Sequence, residues 1–498
     1  MLVVISVSEG LNSEGKRLLE FKQGLGDEFN FLGNWKSTDE TPCGWTGVNC
    51  STSAGYVWSL DLNSKNLSGI LSPSIGGLIH LTHLDLSYNE FKGDIPTEIF
   101  VNCSLLSSDF PLFERQSAKW SDPREDWEFV FASSVCGEIP TEFGNIKGLI
   151  DLDLFSNQLT GVIPKQLRNL RNLGYLELWN NSLTGPIHPH LCRYNSRLYT
   201  LDLSGNKLSG SIPTGIFNCQ NLEYLSLVGN RLTGNLAPGV GNLLNLNYIK
   251  LDENNFTGPI PPEIGNCKEL QWIQIAGNHF TSELPKEIGK LSQLMLLNVS
   301  SNSLMGPIPS EIVNCKMLRR LDFSHNSFVD SLPNELGTLS QLELLKLSEN
   351  KLSGNIPASI GSLSRLIELQ MGGNRFSGEI PPELGFLSTL QVAMDLSYNN
   401  LTGNVPAELG KLSSLEVLLL NNNDLSGEIP STFQDLLSLM EFNFSYNNFS
   451  GSLPAIPILK KMNSCNVLID ANSPFQGNPF LEPLPLPEAC SSASDRPS

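Results

Sequence analysis

Two pairs of side chains are the strongest candidates for chemistry in this chain. Asp151 and Asp153 are two residues apart, and paired carboxylates can serve as a glycosidase acid and base. The same position is Asp in several other segments, however, which favours a structural role. His188 and His190 could begin a metal site, but no third ligand is apparent and a solvated turn is favoured. We therefore predict no catalytic residue, no metal site and no cofactor.

Composition excludes further classes of function. No Gly-rich phosphate loop is followed by a lysine strand, and neither HRD nor DFG occurs, so no kinase domain is indicated. The chain has 32 basic and 51 acidic residues, a net charge of -19 that disfavours nucleic acid as a partner. No apolar run reaches the roughly 18 residues that cross a membrane. The sequence predicts a binding protein and not an enzyme.

A repeat of 24 residues must position any binding side chains. The pattern LxLxxN recurs, and from Asn157 onward its asparagines are 24 residues apart except for two steps of 25. One earlier unit has Lys65 in place of Asn, which makes fifteen units. The fourteen asparagines are Asn89, Asn157, Asn181, Asn206, Asn230, Asn254, Asn278, Asn302, Asn326, Asn350, Asn374, Asn399, Asn423 and Asn447.

Each unit reads as a strand followed by an inward turn. Leu201 and Leu203 alternate with an exposed acid, as in a short strand. The Asn206 amide can donate to and accept from backbone groups that no strand pairing satisfies. Leu208 and Ile212 then fill the interior. Because no unit buries its own apolar face, the units must stack into a solenoid.

The second half of the unit, LxGxIP as in residues 352–357, resembles the plant-specific leucine-rich repeat. Long runs of it resemble the ectodomains of plant leucine-rich-repeat receptor-like serine/threonine kinases, in the long-ectodomain branch whose relatives bind peptides. The resemblance implies an α/β repeat solenoid, wound as a right-handed superhelix, with a cysteine-containing N-terminal cap.

Cysteines mark the cap and the array. Residues 34–50 resemble the family's N-terminal cap, with Ser13 expected to cap a helix before it. Cys43 and Cys50 would then form a disulfide, worth about 2.5 kcal/mol; a zinc pair is the alternative. Free buried thiols are favoured over disulfides where Asn-Cys recurs in the repeat and in one similar setting. These residues are Cys219, Cys267, Cys315, Cys103 and Cys192.

The period divides the chain into six segments. Residues 1–8 resemble the end of a signal peptide, 9–52 form the cap, and 53–106 hold the first repeats. Residues 107–136 break the pattern, either as an island domain or as a damaged repeat, with 129–131 as a makeshift strand. Residues 137–456 form the main array, and 457–498 a partial C-terminal cap and polar tail.

Solenoids bind ligands on the concave face of their strands, where side chains beside the core leucines point outward. Aromatic residues recur there on neighbouring strands, with single charges beside them, which predicts a binding groove; the alternative is that aromatics simply favour strands. An Arg-x-Arg pair that holds a peptide carboxylate in some relatives is absent. The predicted groove residues are Tyr175, Trp179, Tyr224, Tyr248, Lys250, Trp272, Gln274 and Arg320.

Nine Asn-x-Ser/Thr sequons make the chain a candidate glycoprotein. Asn298 and Asn443 lie within strands, where a glycan would cover the concave face, and Asn49 lies inside the cap. The predicted glycosylation sites are Asn66, Asn102, Asn180, Asn255, Asn400 and Asn448.

The function implied by the resemblance is extracellular sensing of a secreted peptide or similar ligand, together with a short leucine-rich-repeat co-receptor kinase. The parent receptor would lie in the plasma membrane through a span and kinase outside this sequence, whereas the chain alone would be apoplastic. The alternatives are a free-standing secreted binder, such as a glycosidase inhibitor or decoy receptor, and a non-functional gene fragment.

Overall fold

The computed structural model describes residues 10–51, 55–81, 83–86, 89–93, 136–145, 149–192, 197–460 and 473–482. It divides into two compact units, residues 1–234 with 242–246 and residues 235–241 with 247–498. Among the residues it describes, no helix is both long and apolar enough to cross a bilayer.

Within each unit, every repeat contributes one short strand to a parallel sheet, which we call the spine sheet. The alternating pattern places leucines such as Leu201 and Leu225 in the core, and their neighbours form the outward side, the strand face. Within the described ranges the first unit has six spine strands and the second has nine, which confirms the fifteen predicted repeats. The spine strands are Val57–Asp61, His83–Asp85, Asp151–Asp153, Tyr175–Glu177, Thr200–Asp202 and Tyr224–Ser226, then Tyr248–Lys250, Trp272–Gln274, Leu296–Asn298, Arg320–Asp322, Leu344–Lys346, Glu368–Gln370, Ala393–Asp395, Val417–Leu419 and Glu441–Asn443.

The second half of each repeat forms a short outer strand and usually a 3₁₀ turn. Each turn spans at most five residues, too short for a stable α-helix, so the helical part of the predicted α/β repeat is 3₁₀. The outer strands are Leu25–Gly26, Ser68–Ile70, Glu90–Lys92, Cys136–Glu138, Gln158–Thr160, Thr184–Gly185, Lys207–Gly210, Arg231–Asn235, Asn255–Gly258, His279–Glu283, Ser303–Pro307, Ser327–Val329, Ser353–Asn355, Arg375–Gly378, Asn400–Asn404, Asp424–Glu428, Asn448–Gly451 and Phe480–Leu481. The turns are Pro73–Gly77, Thr141–Asn145, Lys165–Asn169, Thr214–Asn218, Pro238–Asn242, Pro262–Asn266, Lys286–Lys290, Ser310–Asn314, Asn334–Thr338, Ala358–Ser362, Pro382–Phe386, Ala407–Lys411, Ser431–Asp435 and Pro457–Lys460.

The repeated asparagines form a hydrogen-bonded ladder beneath the spine. Asn206 Nδ2 donates to Leu178 O of the preceding repeat at 2.9 Å and to Leu203 O of its own repeat at 3.1 Å. Its Oδ1 accepts the Leu183 N–H at 2.9 Å. The amide therefore joins two repeats where strand pairing ends, which confirms the role predicted for it.

A helix and a disulfide close the N-terminal end. The helix Ser13–Gln23 begins after Asn12, whose Oδ1 accepts the Gly15 N–H at 2.8 Å. The prediction of Ser13 as the N-cap is wrong by one residue, because the Asn12 carboxamide already satisfies the free donor. Cys43 and Cys50 are joined, with Cα atoms 5.4 Å apart. Beside them the antiparallel strand Val48–Cys50 pairs with the first spine strand.

One more asparagine closes the C-terminal end. Asn478 Nδ2 donates to Phe444 O at 3.0 Å, and its Oδ1 accepts the Phe449 N–H at 3.1 Å. Phe475 packs on Phe442 with ring centres 5.3 Å apart. Asn478 thus takes the ladder position, 31 residues after Asn447. Because this spacing differs from the 24-residue period, the period did not predict its role.

Two of the cysteines predicted to be free thiols are bonded. Cys192 and Cys219 lie in consecutive repeats with Cα atoms 5.3 Å apart and form a disulfide, so that prediction is wrong for them. Cys267 and Cys315 remain free and buried because two repeats separate them, a distance of about 10 Å. Burial raises the pKa of each of these thiols to about 11. Cys103 lies outside the described residues.

The spine stays continuous across the break in the repeat. His83–Asp85 pairs directly with Asp151–Asp153, and Cys136 N donates to Gly93 O at 3.1 Å. Residues 93 and 136 are therefore neighbours in the structure, on either side of a stretch that lies outside the described ranges. Residues 129–131, considered as a makeshift strand, lie outside the described ranges.

The Asn ladder is interrupted at this seam. Asn157 is buried, and its Nδ2 donates only to carbonyls of its own repeat. Its Oδ1 has no hydrogen-bond partner in the part of the chain that the structure describes. The strands meet at the seam, but this asparagine does not bind the preceding repeat.

Candidate functional site

The strand face of the first unit carries three of the predicted groove residues. Tyr175 and Tyr224 are two spine strands apart, each paired in register with Thr200 between them. Tyr175 lies 6.1 Å from the ring of Tyr199. Trp179 lies beyond the end of its strand and stacks on Phe155 with ring centres 4.5 Å apart. Trp179 is therefore committed to a packing contact on one of its faces.

The second unit places four predicted residues on two adjacent strands. Tyr248 pairs with Trp272, and Lys250 pairs with Gln274. The Tyr248 ring meets Trp272 edge-on at 5.4 Å, and Lys250 Nζ lies 4.9 Å from the centre of the Trp272 ring. Tyr248 Oη donates to Gln271 Oε1 at 3.3 Å. We give the name Trp272 cluster to Tyr248, Lys250, Trp272 and Gln274 together with Asp252, which follows the first of the two strands.

A hydrogen-bonded turn recurs where other spine strands end. In Asp322-Phe323-Ser324, Asp322 Oδ1 accepts the Ser324 N–H at 3.0 Å and the hydroxyl at 2.6 Å. Short Asp and Asn side chains reach this backbone donor, which explains why the position is so often acidic. The same turn is formed by Asp61, Asp202, Asn298, Asp395 and Asn443.

The Trp272 cluster lacks this turn. Gln274 stands at the Asp position, and the Ala276 N–H instead binds Asp252 Oδ1 of the preceding repeat at 2.8 Å. Gln274 Oε1 is buried and without a hydrogen-bond partner among the described residues. A buried acceptor left unpaired costs about 1–3 kcal/mol. The site therefore holds an unpaired acceptor that a ligand N–H can reach once the Gln274 side chain turns toward the strand face.

Asp252 was an outward position beside the predicted groove but not one of the predicted ligand-binding residues. Burial raises the pKa of its carboxyl to about 6, although the Ala276 N–H and the charge of Lys250 both act to lower it. Its link to the next repeat uses the Ala276 N–H, which Gln274 leaves available because it does not form the Asp-type turn. The sequence signal that could have revealed it is that Lys250 and Gln274 stand where several other repeats have Asp or Asn.

Arg320 lies on the same face but apart from the Trp272 cluster. It is exposed, with Leu296 between it and Trp272 in the register. On the next strand after Arg320, Lys346 Nζ lies 3.1 Å from Glu368 Oε1 of the strand beyond it. The same Glu368 oxygen accepts a hydrogen bond from Gln370 at 2.6 Å. This second polar network was not predicted from the sequence.

The residues considered for chemistry lie at two separate places in the first unit. Asp151 and Asp153 are both buried on one spine strand. The His188 and His190 rings are 5.5 Å apart, and within the described residues no three His, Cys, Asp or Glu side chains form a metal-binding group. The described arrangement is suited to binding, through aromatic faces and hydrogen bonds.

The sequons fall into different positions of the repeat. Asn255, Asn400 and Asn448 are exposed at the first position of an outer strand, and half-buried Asn66 lies at the equivalent place. Asn180 is exposed beside Trp179, and its Nδ2 donates to Ser156 Oγ at 3.1 Å. Asn102 lies outside the described residues.

Family profiles identify the repeat. The profile "Leucine-rich repeat region" matches residues 219–327, and "Leucine rich repeat N-terminal domain" matches residues 11–51. Profiles described as "Leucine rich repeat" match residues 172–232 and seven further stretches between residues 80 and 436. The chain is built from leucine-rich repeats, as its sequence resemblance implied.

Known proteins with similar sequences include plant receptor-like protein kinases. Over 97 residues the chain is 52% identical to a probable leucine-rich repeat receptor-like protein kinase of Arabidopsis thaliana, a match covering 18% of this chain and 9% of that protein. Each of the first curated matches covers less than a tenth of the relative's length.

Solved structures extend the likeness to nearly the whole chain. The plant peptide hormone receptor RGFR1 in complex with RGF2 has a TM-score of 0.68 at 34% identity, covering 83% of this chain and 65% of that one. The Arabidopsis receptor kinase HAESA, in complex with the peptide hormone IDA and the co-receptor SERK1, has a TM-score of 0.52 at 28% identity. That match covers 95% of this chain and 98% of the other.

Proposed function

Given that the chain belongs to the leucine-rich-repeat proteins and resembles plant receptor-kinase ectodomains, we propose that it is the extracellular, peptide-sensing part of such a receptor. It acts as a binding module at the outer face of the plasma membrane or in the apoplast. Its partners are a secreted peptide and a short leucine-rich-repeat co-receptor kinase, the types of partner named for HAESA.

The observation that carries this proposal is the Trp272 cluster. The repeats of Lys250 and Gln274 lack the turn found in six other repeats, and they display an aromatic pair, a lysine and an unpaired buried acceptor on adjacent strands. A buried acceptor without a partner costs stability, and its place beside an aromatic pair and a lysine supports a binding role for these strands.

The cluster also defines how a ligand would lie. An extended peptide across the strands can pack an apolar side chain against Tyr248. It can also donate a backbone N–H to Gln274 Oε1 after that side chain turns outward. Lys250 already covers one face of Trp272, so a ligand has to use another side of the ring or displace the ammonium. We therefore assign Tyr248, Lys250, Trp272 and Gln274 to the ligand, with Tyr175, Trp179, Tyr224 and Arg320 as further contacts.

The test uses a panel of synthetic secreted plant peptides and the purified chain. Hydrogen exchange with and without each peptide should show protection in residues 248–276, and affinity is then measured by calorimetry. Trp272→Ala and Gln274→Ala should each weaken binding at least tenfold, the fold-change that corresponds to about 1.4 kcal/mol. Met317→Ala is the matched control, because Met317 is exposed but lies between a turn and a spine strand.

Protection confined to other faces, or equal affinity of the wild type and both site variants, would contradict the proposal. A peptide that binds here but recruits no co-receptor would support instead the free-standing secreted binder.

A further inference from the structure

The 3₁₀ turns lie on the side of each repeat away from the strand face, which we call the back, and they pack on one another through glycine. Nine five-residue turns run from Pro238–Asn242 to Ser431–Asp435 in the described chain, and seven have glycine as their fourth residue. A Cβ at Gly265 would lie 2.5 Å from Glu287 O of the next turn, so a larger residue there would force the two turns apart. Glycine therefore allows the backbone of one turn to touch that of the next. The seven are Gly241, Gly265, Gly289, Gly337, Gly361, Gly385 and Gly410.

Val313 interrupts this series, whereas the other exception, Gln434, ends it. Val313 is the fourth residue of Ser310–Asn314, and its branched side chain takes the space that glycine leaves free in the other turns. This turn and the next one, Asn334–Thr338, pack less closely than the neighbouring turns do. Glu335 of the second turn is exposed, whereas the glutamates at the same place in other turns are half-buried, namely Glu263, Glu287, Glu311, Glu383 and Glu408. The back of the second unit is therefore loosened between these two turns, at a place that we call the Val313 gap.

The spine sheet stays continuous in front of the Val313 gap. Arg320–Asp322 pairs in register with Leu344–Lys346, and Asn350 keeps its ladder bonds across the same junction. Across the gap itself, Lys316 Nζ donates to Thr338 Oγ1 at 2.9 Å, and this hydrogen bond is exposed. Water competes for an exposed hydrogen bond, so it contributes little net stability. The two repeats are thus joined firmly in front and weakly behind.

We propose that the Val313 gap is a hinge, at which the back of the second unit opens and closes while the spine sheet stays paired. Opening separates Ser310–Asn314 from Asn334–Thr338 and changes the tilt between the two spine strands in front of them. The Trp272 cluster lies on one side of this hinge, and the network of Lys346 and Glu368 lies on the other. The separation of these two parts of the strand face can therefore change while each keeps its own contacts. Because the hinge follows from the packing of the turns, it does not depend on which ligand the strand face binds.

Two buried thiols occupy matched places from which such opening can be measured. Cys315 directly follows the turn that contains Val313, and Cys267 directly follows the turn that contains Gly265. Both cysteines are fully buried, and each Sγ donates to a backbone oxygen of the preceding repeat at 3.3 Å. Burial raises the pKa of each thiol to about 11, so the two start from the same intrinsic reactivity. A difference in their labelling rates therefore reports how often each repeat opens.

The experiment labels the full-length chain with iodoacetamide at urea concentrations below the global unfolding transition. Peptide mass spectrometry then gives the labelling rate of each thiol in the same molecule. Cys315 should be labelled at least about tenfold faster than Cys267, because its turn packs loosely on the next one. Global unfolding exposes both thiols together and gives equal rates, so it serves as the internal control.

Two reciprocal substitutions test the physical cause of the difference. Val313→Gly should slow the labelling of Cys315 toward the rate of Cys267, because the two turns can then touch. Glycine on its own makes a chain more flexible, so slower labelling in this variant has to come from closer packing. Gly265→Val should speed the labelling of Cys267 by forcing its turn away from the next.

Equal labelling rates of the two thiols in the wild type would overturn the proposal. So would a Cys315 rate that Val313→Gly leaves unchanged or raises. If Gly265→Val does not fold, the comparison of the wild type with Val313→Gly still distinguishes these outcomes.

Discussion

Replacing Asn206 by alanine is expected to destabilise the first unit far more than replacing Asn157. Both asparagines are buried and hold the same position in their repeats, but only Asn206 bonds to the repeat before it. Asn157 lies at the seam, where its Oδ1 is without a hydrogen-bond partner in the described structure. Comparing the two variants therefore separates the contribution of the hydrogen bonds between repeats from that of burying the side chain.

The magnitude follows from the groups left behind. In Asn206→Ala the Leu183 N–H loses its acceptor inside the core, which costs about 1–3 kcal/mol. The lost bond to Leu178 O adds about 1 kcal/mol, while that carbonyl keeps its bond from Asn181. We expect a loss of about 2–4 kcal/mol. In Asn157→Ala no buried N–H is orphaned, so the expected loss is about 0–1 kcal/mol.

Urea unfolding followed by circular dichroism measures the free-energy difference, with the two variants compared against the wild type. Hydrogen exchange then locates the effect, which should appear as faster exchange in residues 176–184 of Asn206→Ala. Equal losses for the two variants, or exchange that rises only near residue 157, would refute the ladder argument.

Three further predictions rest on titrating groups. Burial raises the pKa of Asp252 to about 6, and its charge acts on Lys250, which lies over the Trp272 ring. The fluorescence emission of Trp272 should therefore change between pH 5 and 7 in the wild type. A change that persists in Asp252→Asn or in Trp272→Phe would contradict this. Burial raises the pKa of the Cys267 and Cys315 thiols to about 11, so iodoacetamide at pH 8 should label them only after unfolding; rapid labelling of the native chain would argue against burial. Burial also raises the pKa of Glu14, so its charged form destabilises the cap when the pH is above the pKa in the folded protein, and this destabilisation disappears as the pH falls. Glu14→Gln should therefore be more stable than the wild type at pH 7. In thermal melts this gain should shrink toward pH 4.

The repeat could be predicted from the sequence because its forces are local. Each core leucine and each ladder asparagine stacks on the equivalent residue of the next repeat, about 24 positions away. The same period therefore predicts both which residues are buried and which asparagines bond between repeats. The cap disulfide was implied instead by the resemblance of residues 34–50 to the family's N-terminal cap, and Cys43 and Cys50 are joined as expected. Asn478 was missed because its spacing of 31 residues departs from the period that revealed the others.

The candidate site could be predicted only in part. Alternation along a strand places Tyr248 and Trp272 outward, and the period places them side by side. The pairing of Lys250 with the Trp272 ring depends on side-chain conformations, which spacing does not specify. Likewise, the unpaired Gln274 acceptor becomes visible only when the neighbouring Asp252 is seen to take the Ala276 N–H.

By itself the sequence determined the number of repeats, their strand faces and the family, because these follow from composition and period. Tertiary structure decided which residues of different repeats touch across gaps in that period. It joined Cys192 to Cys219, brought residue 136 beside residue 93, and left Asn157 without its cross-repeat bond. The last two depend on how the chain bridges residues 107–136, and that stretch of sequence carries no period from which contacts can be read.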